Sequence, residues 1–327
     1  MNILITGAYS YSMDQIEYLK GLGCNVTFVQ DERIPLNIDV SQIEVVVCNA
    51  LFLYTDIKKF INLKFIQVTS AGLDRIPTKY VEKMNIQVAN AKGIYSIPMA
   101  EWTILRILEF YKNSSFFAEA QKRKKWLKNR NLLELTGKTA TIIGIGDVGT
   151  EIAKRLKVFN VNVIGVGRRE VSSEFIDEYY LVENIETALS KSDITVLTLP
   201  LNESTRHLIN KTNISKMKEE SLLINLSRGG IIEESALIES LDQGKFLGVA
   251  LDVFEQEPLP EESNLWRYEN VTITPHVSFI SDKINERLFK LICENLKNYI
   301  KNTTLIGNCE GFAYEGTGNI SKKQNTI

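Results

Sequence analysis

His276 is one of two histidines in a chain of 327 residues, and it stands in Thr274-Pro275-His276-Val277-Ser278, directly after the apolar run 271–273. Imidazole titrates unperturbed between pH 5 and 8, so a histidine placed where a buried strand surfaces is a candidate acid/base group. The second, His207, lies in Ser204-Thr205-Arg206-His207-Leu208-Ile209, after a strand and in a loop or short helix, and is the weaker candidate by position. The plain alternative for each is a hydrogen-bonded structural histidine. Two further segments leave apolar runs with charged groups: Ile224-Asn225-Leu226-Ser227-Arg228-Gly229-Gly230 carries Arg228, and Asp252-Val253-Phe254-Glu255-Gln256-Glu257-Pro258-Leu259 carries Asp252 and Glu257. Ligands of open α/β sheets bind outside the carboxyl ends of the strands, so such groups can converge there. Taken singly, Arg228 also reads as a surface ion-pair partner, Glu257 as a solvated acid and Asp252 as a helix or turn cap.

A second chemical signature precedes these. Thr141-Ile142-Ile143-Gly144-Ile145-Gly146-Asp147-Val148-Gly149 is a strand running into G-x-G-x-x-G, and Ile152, Ala153, Leu156 and Phe159 then trace one helical face. One glycine allows the tight turn, one lets backbone approach a pyrophosphate, and one packs helix on strand, while the helix N-terminus offers N–H groups to phosphate. This places Gly144, Gly146, Asp147, Val148 and Gly149 at a dinucleotide. The acidic residue that would bind the ribose of NAD about twenty positions on is replaced by Val166-Gly167-Arg168-Arg169. Arg168 and Arg169 suit a 2′-phosphate and favour NADP(H) over NAD(H); the other reading is a pair of solvated arginines with NAD bound. Gly7-Ala8-Tyr9-Ser10 also follows a strand, but it lacks the second and third glycines and is expected to hold no cofactor.

The elements that must position these groups are α/β. Short β-branched runs alternate with amphipathic stretches, the pattern of parallel sheets with crossover helices. Strands are expected at 2–6, 25–29, 44–48, 65–69 and 87–89, one small doubly wound unit. Six more are expected at 139–145, 162–166, 194–199, 222–226, 248–253 and 271–274, a full dinucleotide-binding sheet. Residues 100–111 read as a long helix between the two series. Residues 282–300 carry Ile284, Leu288, Leu291, Ile292, Leu296 and Ile300 at helical spacing, and 303–327 lack periodicity and read as a loose tail.

Composition limits the partners. The chain is 44% hydrophobic and 24% charged with a formal net charge of -2, so no general basic field gathers nucleic acid or anionic lipid. Residues 122–130 hold six basic residues in nine positions; a solvated arm, or one lying on a partner subunit, is favoured there over a nucleic-acid contact. The N-terminus lacks a signal pattern, and the apolar stretch 94–110 is cut by Glu101, Arg106 and Glu109, so no membrane span is expected. Cys24, Cys48, Cys293 and Cys309 are scattered without a C-x-x-C pair, which suits reduced thiols in the cytoplasm, and no His/Cys cluster supplies a metal site.

Over roughly residues 40–300 the chain resembles the D-isomer-specific 2-hydroxyacid dehydrogenases, through Gly144 to Gly149, Ser227-Arg228-Gly229, the run from Asp252 to Pro258, and Pro275-His276. Ser70-Ala71-Gly72-Leu73-Asp74 and Tyr95-Ser96-Ile97-Pro98-Met99-Ala100-Glu101 fit the same family. The resemblance implies that His276 protonates the carbonyl oxygen as hydride reaches carbon 2, that Glu257 bonds the imidazole and favours its charged form, and that Arg228 clamps the substrate carboxylate. It implies that backbone of Ser70, Ala71 and Gly72 binds the same carboxylate, and that Asp252 meets the nicotinamide side of the cofactor. Pro200, Thr205, Leu226 and Ser227 are further cofactor positions under the same resemblance. It also implies a flavodoxin-like substrate domain made of 1–98 plus 284–305, a Rossmann domain over 99–283, a tail at 306–327, and a homodimer to which 100–135 contribute.

Within that family, phosphoglycerate enzymes usually carry an arginine before the carboxylate loop, where this chain has Val68, and an asparagine where it has Arg75. No regulatory domain is expected in the stretch after residue 300. These departures favour a glyoxylate/hydroxypyruvate reductase or a broader 2-ketoacid reductase. The rival is a corepressor-like dinucleotide sensor on the same fold, acting through partner proteins.

Overall fold

The computed structural model describes residues 1–7 and 10–309. The Gly7-Ala8-Tyr9-Ser10 turn therefore lies partly outside the described residues, and so does the expected tail from residue 310 on. The chain divides into two compact units, Met1–Tyr95 with Ser281–Ile327, and Ser96–Ile280.

The first unit holds β1 (Asn2–Thr6), β2 (Asn25–Val29), β3 (Val45–Cys48), β4 (Phe65–Val68) and β5 (Gln87–Ala89) in the order β2-β1-β3-β4-β5, all parallel. This is the flavodoxin-like order. Central strands β3 and β4 are buried along their whole length, which is why they read as short unbroken apolar runs rather than as alternation. Helix Met13–Gly21 opens with a capping box between Ser12 and Gln15. Helix Ile284–Ile300 lays Leu288, Leu291, Ile292 and Leu296 against Ile3, Ile5, Val45, Val47 and Phe65, the partner its periodicity requires.

The one polar side chain of β4, Gln67, is fully buried and finds its partner on that helix: Asn295 Nδ2 donates to Gln67 Oε1 at 2.6 Å. Asn295 also donates to Ile306 O (2.9 Å) and accepts from Ile306 N (2.7 Å). The segment expected to be loose from Thr303 is thus docked as far as it is described. Leu305 is buried, Asn90 N donates to Gly307 O, and Cys309 N donates to Val88 O. A single buried leucine and two backbone bonds leave no periodic pattern in a sequence, which is why composition misreads this stretch.

The second unit holds β6 (Thr139–Ile143), β7 (Asn162–Gly167), β8 (Glu178–Leu181), β9 (Ile194–Leu197), β10 (Ser221–Asn225), β11 (Phe246–Leu251) and β12 (Val271–Ile273). Their order is β12-β11-β10-β9-β6-β7-β8, all parallel. The order reverses between β6 and β9, the switch point at which such sheets bind ligands. There are seven strands rather than the expected six. β8 is a half-exposed edge strand, Glu-Tyr-Tyr-Leu, and has no apolar run to announce it.

One face of this sheet packs Ala140, Ile142 and Val163 against Ile152, Ala153 and Leu156 of helix Asp147–Val158, together with Ala100, Trp102 and Ile107 of helix Ser96–Tyr111. After helix Ser114–Lys122 the basic segment runs without regular structure, and Trp126 in its middle is 95% exposed. No described helix is long and apolar enough to cross a membrane.

Candidate active site

The glycine turn is built as its spacing requires. Gly144 has φ +104°, and a Cβ there would lie 2.8 Å from Leu199 N. A Cβ on Gly149 would lie 2.4 Å from Gly144 O, so this glycine locks helix Asp147–Val158 onto the turn. Gly146 differs from both. It is the residue before the helix, its φ is ordinary, and a Cβ on it would meet nothing within 4 Å. Packing does not demand a glycine there, whereas close approach of a ligand does. No side chain caps this helix, so its first N–H groups are left for another acceptor, with Asp147 and Val148 in that first turn. Beyond β7, Arg168 and Arg169 are exposed and form no ion pair among the described residues. The set fits a dinucleotide.

Arg228, Glu257 and His276 are brought together by the ends of three adjacent strands. Arg228 follows β10 in extended conformation and leads into the turn Gly229–Ile231. A Cβ on Gly229 would lie 1.9 Å from the carbonyl carbon of Phe254, so the arginine turn is pressed onto the loop after β11 that carries Glu257. His276 follows β12, and its Nδ1 lies 2.9 Å from Glu257 Oε2. The other oxygen, Oε1, accepts from Phe254 N at 3.1 Å. Burial alone would raise the Glu257 carboxyl. The hydrogen bond and charge of His276, the Phe254 N–H and the Arg228 charge outweigh burial and hold it below its ordinary value. The imidazole and carboxylate are 36% and 39% exposed, enough to meet a small ligand while staying fixed. The edge of the Phe279 ring stands near the imidazole, 5.9 Å between centroids.

His276 has φ +53°, a left-handed conformation unusual outside glycine, and Asp252 holds it there. Asp252 O accepts from His276 N at 2.8 Å. Its carboxylate takes three bonds from the same segment: Thr274 Oγ1 (2.5 Å) and Val277 N (2.9 Å) on Oδ1, and Ser278 N (2.9 Å) on Oδ2. Asp252 is completely buried. Its carboxylate positions the histidine turn. The sequence signal for this role is an acid placed directly after the buried run of β11, since a carboxylate there must be satisfied internally.

The remaining expected positions divide similarly. Leu226 is a core residue, and Ser227 is buried with its N and Oγ donating to Asn225 Oδ1, so neither presents its side chain outward. Thr205 Oγ1 donates to Pro200 O (2.7 Å) and accepts from Asn202 N (2.8 Å), which folds 200–205 into a self-bonded loop with Pro200 exposed. In the first unit, Ser70 Oγ donates to Gly72 O, Ala71 O accepts from Asn90 Nδ2, and Ser70 O accepts from Ala91 N. The carbonyls of this turn are therefore occupied. His207, the second histidine, also has a positive φ (+51°), and its Nε2 lies 2.9 Å from Glu255 Oε1. Both histidines are thus tied to acids of one loop. Glu255 was not singled out by its sequence position. Among the described residues no group of three or more His, Cys, Asp or Glu could hold a metal ion.

Residues 104–278, which contain the glycine turn, Arg228, Glu257 and His276, match the model of the D-isomer specific 2-hydroxyacid dehydrogenase NAD binding domain. The chain belongs to the D-isomer specific 2-hydroxyacid dehydrogenase family. Among its relatives in this family, a glyoxylate reductase of Thermofilum pendens is 34% identical over 246 residues, covering 73% of each chain. A solved NADPH-dependent glyoxylate/hydroxypyruvate reductase of Sinorhizobium meliloti, in complex with NADP and sulfate, superposes with TM-score 0.78 at 25% identity, covering 94% of this chain and 98% of that one. A D-lactate dehydrogenase of Aquifex aeolicus, complexed with NAD and lactic acid, gives 0.75 at 27% identity, covering 92% and 96%. Family members of this shape therefore use either nicotinamide cofactor.

Proposed function

We propose that this 2-hydroxyacid dehydrogenase interconverts a small 2-ketoacid and its D-2-hydroxyacid with NADP(H), glyoxylate and hydroxypyruvate being the leading substrates. The observation that carries the reading is the 2.9 Å pair between His276 Nδ1 and Glu257 Oε2, set beside Arg228 at the strand ends. When bound, the nicotinamide supplies hydride to carbon 2 of the ketoacid. His276, its Nδ1 held by Glu257, gives a proton from Nε2 to the carbonyl oxygen and takes it back in the oxidative direction. Arg228 binds the substrate carboxylate with two parallel donors and draws charge toward the carbonyl. Arg168 and Arg169 support NADP(H), and the glyoxylate and hydroxypyruvate reductases among the relatives support the substrate class. Ser70, Ala71 and Gly72 are retained in this reading as an anion-binding turn of the first unit. The exposed Trp126 and Leu127 of the basic segment support a homodimer, and cysteines scattered without a C-x-x-C pair support a reducing compartment.

The test is oxidation of NADPH and of NADH over a panel of 2-ketoacids, with His276→Ala beside the wild type. General acid catalysis contributes about 10²–10⁴-fold, so the variant should lose at least that much turnover while still binding cofactor. Wild-type turnover in the variant would sink the assignment of His276. Silence of the wild type across the panel, with cofactor bound, would return the chain to the sensor reading.

A further inference from the structure

Strand β7 carries two glycines two residues apart, Gly165 and Gly167, whose missing side chains lie on one face of the sheet. One side chain fills both places. A Cβ on Gly165 would lie 2.8 Å from Tyr179 Cδ2, and a Cβ on Gly167 would lie 2.2 Å from the Tyr179 hydroxyl. The ring of Tyr179 therefore lies along β7 and delivers its hydroxyl to the carboxyl end of the strand, where Arg168 and Arg169 follow. Ile145 of the glycine turn lies 3.1 Å from a Cβ placed on Gly165, and Arg169 O lies 3.8 Å from a Cβ placed on Gly167. The ring thus starts beside the glycine turn, and its hydroxyl ends beside the backbone of Arg169.

Its neighbour in sequence shows what an ordinary tyrosine does on this edge strand. Tyr180 points to the opposite face, donates to Glu178 (2.8 Å) and accepts from Lys191 (2.7 Å). Tyr179, half-buried, makes no hydrogen bond through its hydroxyl among the described residues. A phenol laid over two glycines could serve packing alone, but a phenylalanine would do that without bringing an unused donor to a strand end.

We propose that Tyr179 is a cofactor-specificity residue: its hydroxyl donates to the 2′-phosphate of the adenosine ribose, alongside Arg168 and Arg169. The inference rests on the NADP(H) reading of this chain. Burial raises the phenol above its ordinary value, Arg169 opposing and Glu170 assisting, so it remains protonated and able to donate near neutral pH.

The experiment is calorimetric binding of 2′,5′-ADP and of 5′-AMP to wild type and Tyr179→Phe, which needs neither substrate nor turnover. The wild type should prefer 2′,5′-ADP. The variant should melt with the wild type, lose about tenfold in affinity for 2′,5′-ADP as one hydrogen bond to a charged acceptor disappears, and keep its affinity for 5′-AMP. Equal binding of the two ligands by the wild type overturns the NADP(H) reading and this inference together. A wild-type preference that survives Tyr179→Phe overturns the inference alone and leaves Tyr179 as a cover for the glycines. A melting temperature that falls with the hydroxyl also overturns it, since the group would then be structural.

Discussion

Asp252→Asn tests whether one buried carboxylate sets the backbone of the proposed catalytic histidine. The asparagine oxygen can keep the two bonds now made to Oδ1 by Thr274 and Val277, but its amide nitrogen then confronts Ser278 N, donor against donor. One orphaned buried donor costs about 1–3 kcal/mol, and the two surviving bonds lose their charge assistance at about 1 kcal/mol each, so the change should cost about 3–5 kcal/mol. In a unit of this size each kcal/mol moves the midpoint by about 2–4 °C, giving a drop of about 6–20 °C in a calorimetric scan. The released turn should also let His276 leave φ +53°, so turnover should fall even at temperatures where the variant is folded. A variant that melts within about 2 °C of wild type would refute the reasoning, because a loss of about 3 kcal/mol or more must move the midpoint by about 6 °C or more.

Gly146→Ala should fold with unchanged stability, since its φ is ordinary and a Cβ meets nothing, yet it should weaken cofactor binding at least tenfold; Gly149→Ala, facing Gly144 O at 2.4 Å, should instead fail to fold stably. Titration of NADPH fluorescence beside thermal melting separates the two. Glu257→Gln should narrow its stability deficit in acid. The carboxyl is held below its ordinary value, so its contribution is complete above the unfolded value of about 4.3 and is lost as pH falls through the folded one; denaturant unfolding at about pH 7 and about pH 3 should show a smaller deficit at the second. Asn295→Leu leaves Ile306 N and Gln67 Oε1 without the bonds they now make and should cost about 2–4 kcal/mol, read as a lower denaturant midpoint.

How far the residues alone reveal this molecule depends on whether a feature is local. The glycine turn is local: a strand, three glycines and a helical face follow one another, and the fold keeps that order. Eleven of the strands announced themselves as β-branched runs because both faces of a parallel sheet are buried, and β8 escaped because an edge strand with half-exposed tyrosines has no such run. Arg228, Glu257 and His276 were legible as charged groups after strand ends. What was not legible is burial. The Asp252 side chain is enclosed by the His276 turn, and Leu226 and Ser227 lie inside for the same reason: strand ends alternate between surface and core in a way fixed by the third dimension. The pairing of Tyr179 with Gly165 and Gly167 likewise depends on the register of β7 with β8, which no spacing along the chain encodes.

The docked segment after helix Ile284–Ile300 bears on solubility. β5 is the border strand of the first sheet, and a border strand with open backbone groups is a template on which another chain can add. Here the protein supplies its own addition: Asn308 bridges Ala89 in antiparallel sense, flanked by the Asn90–Gly307 and Cys309–Val88 bonds. Those few residues act as a stopper against self-association. A chain ending before Leu305 would keep every strand and every proposed catalytic group yet expose an adhesive margin, so its shortcoming would appear as aggregation rather than as lost chemistry.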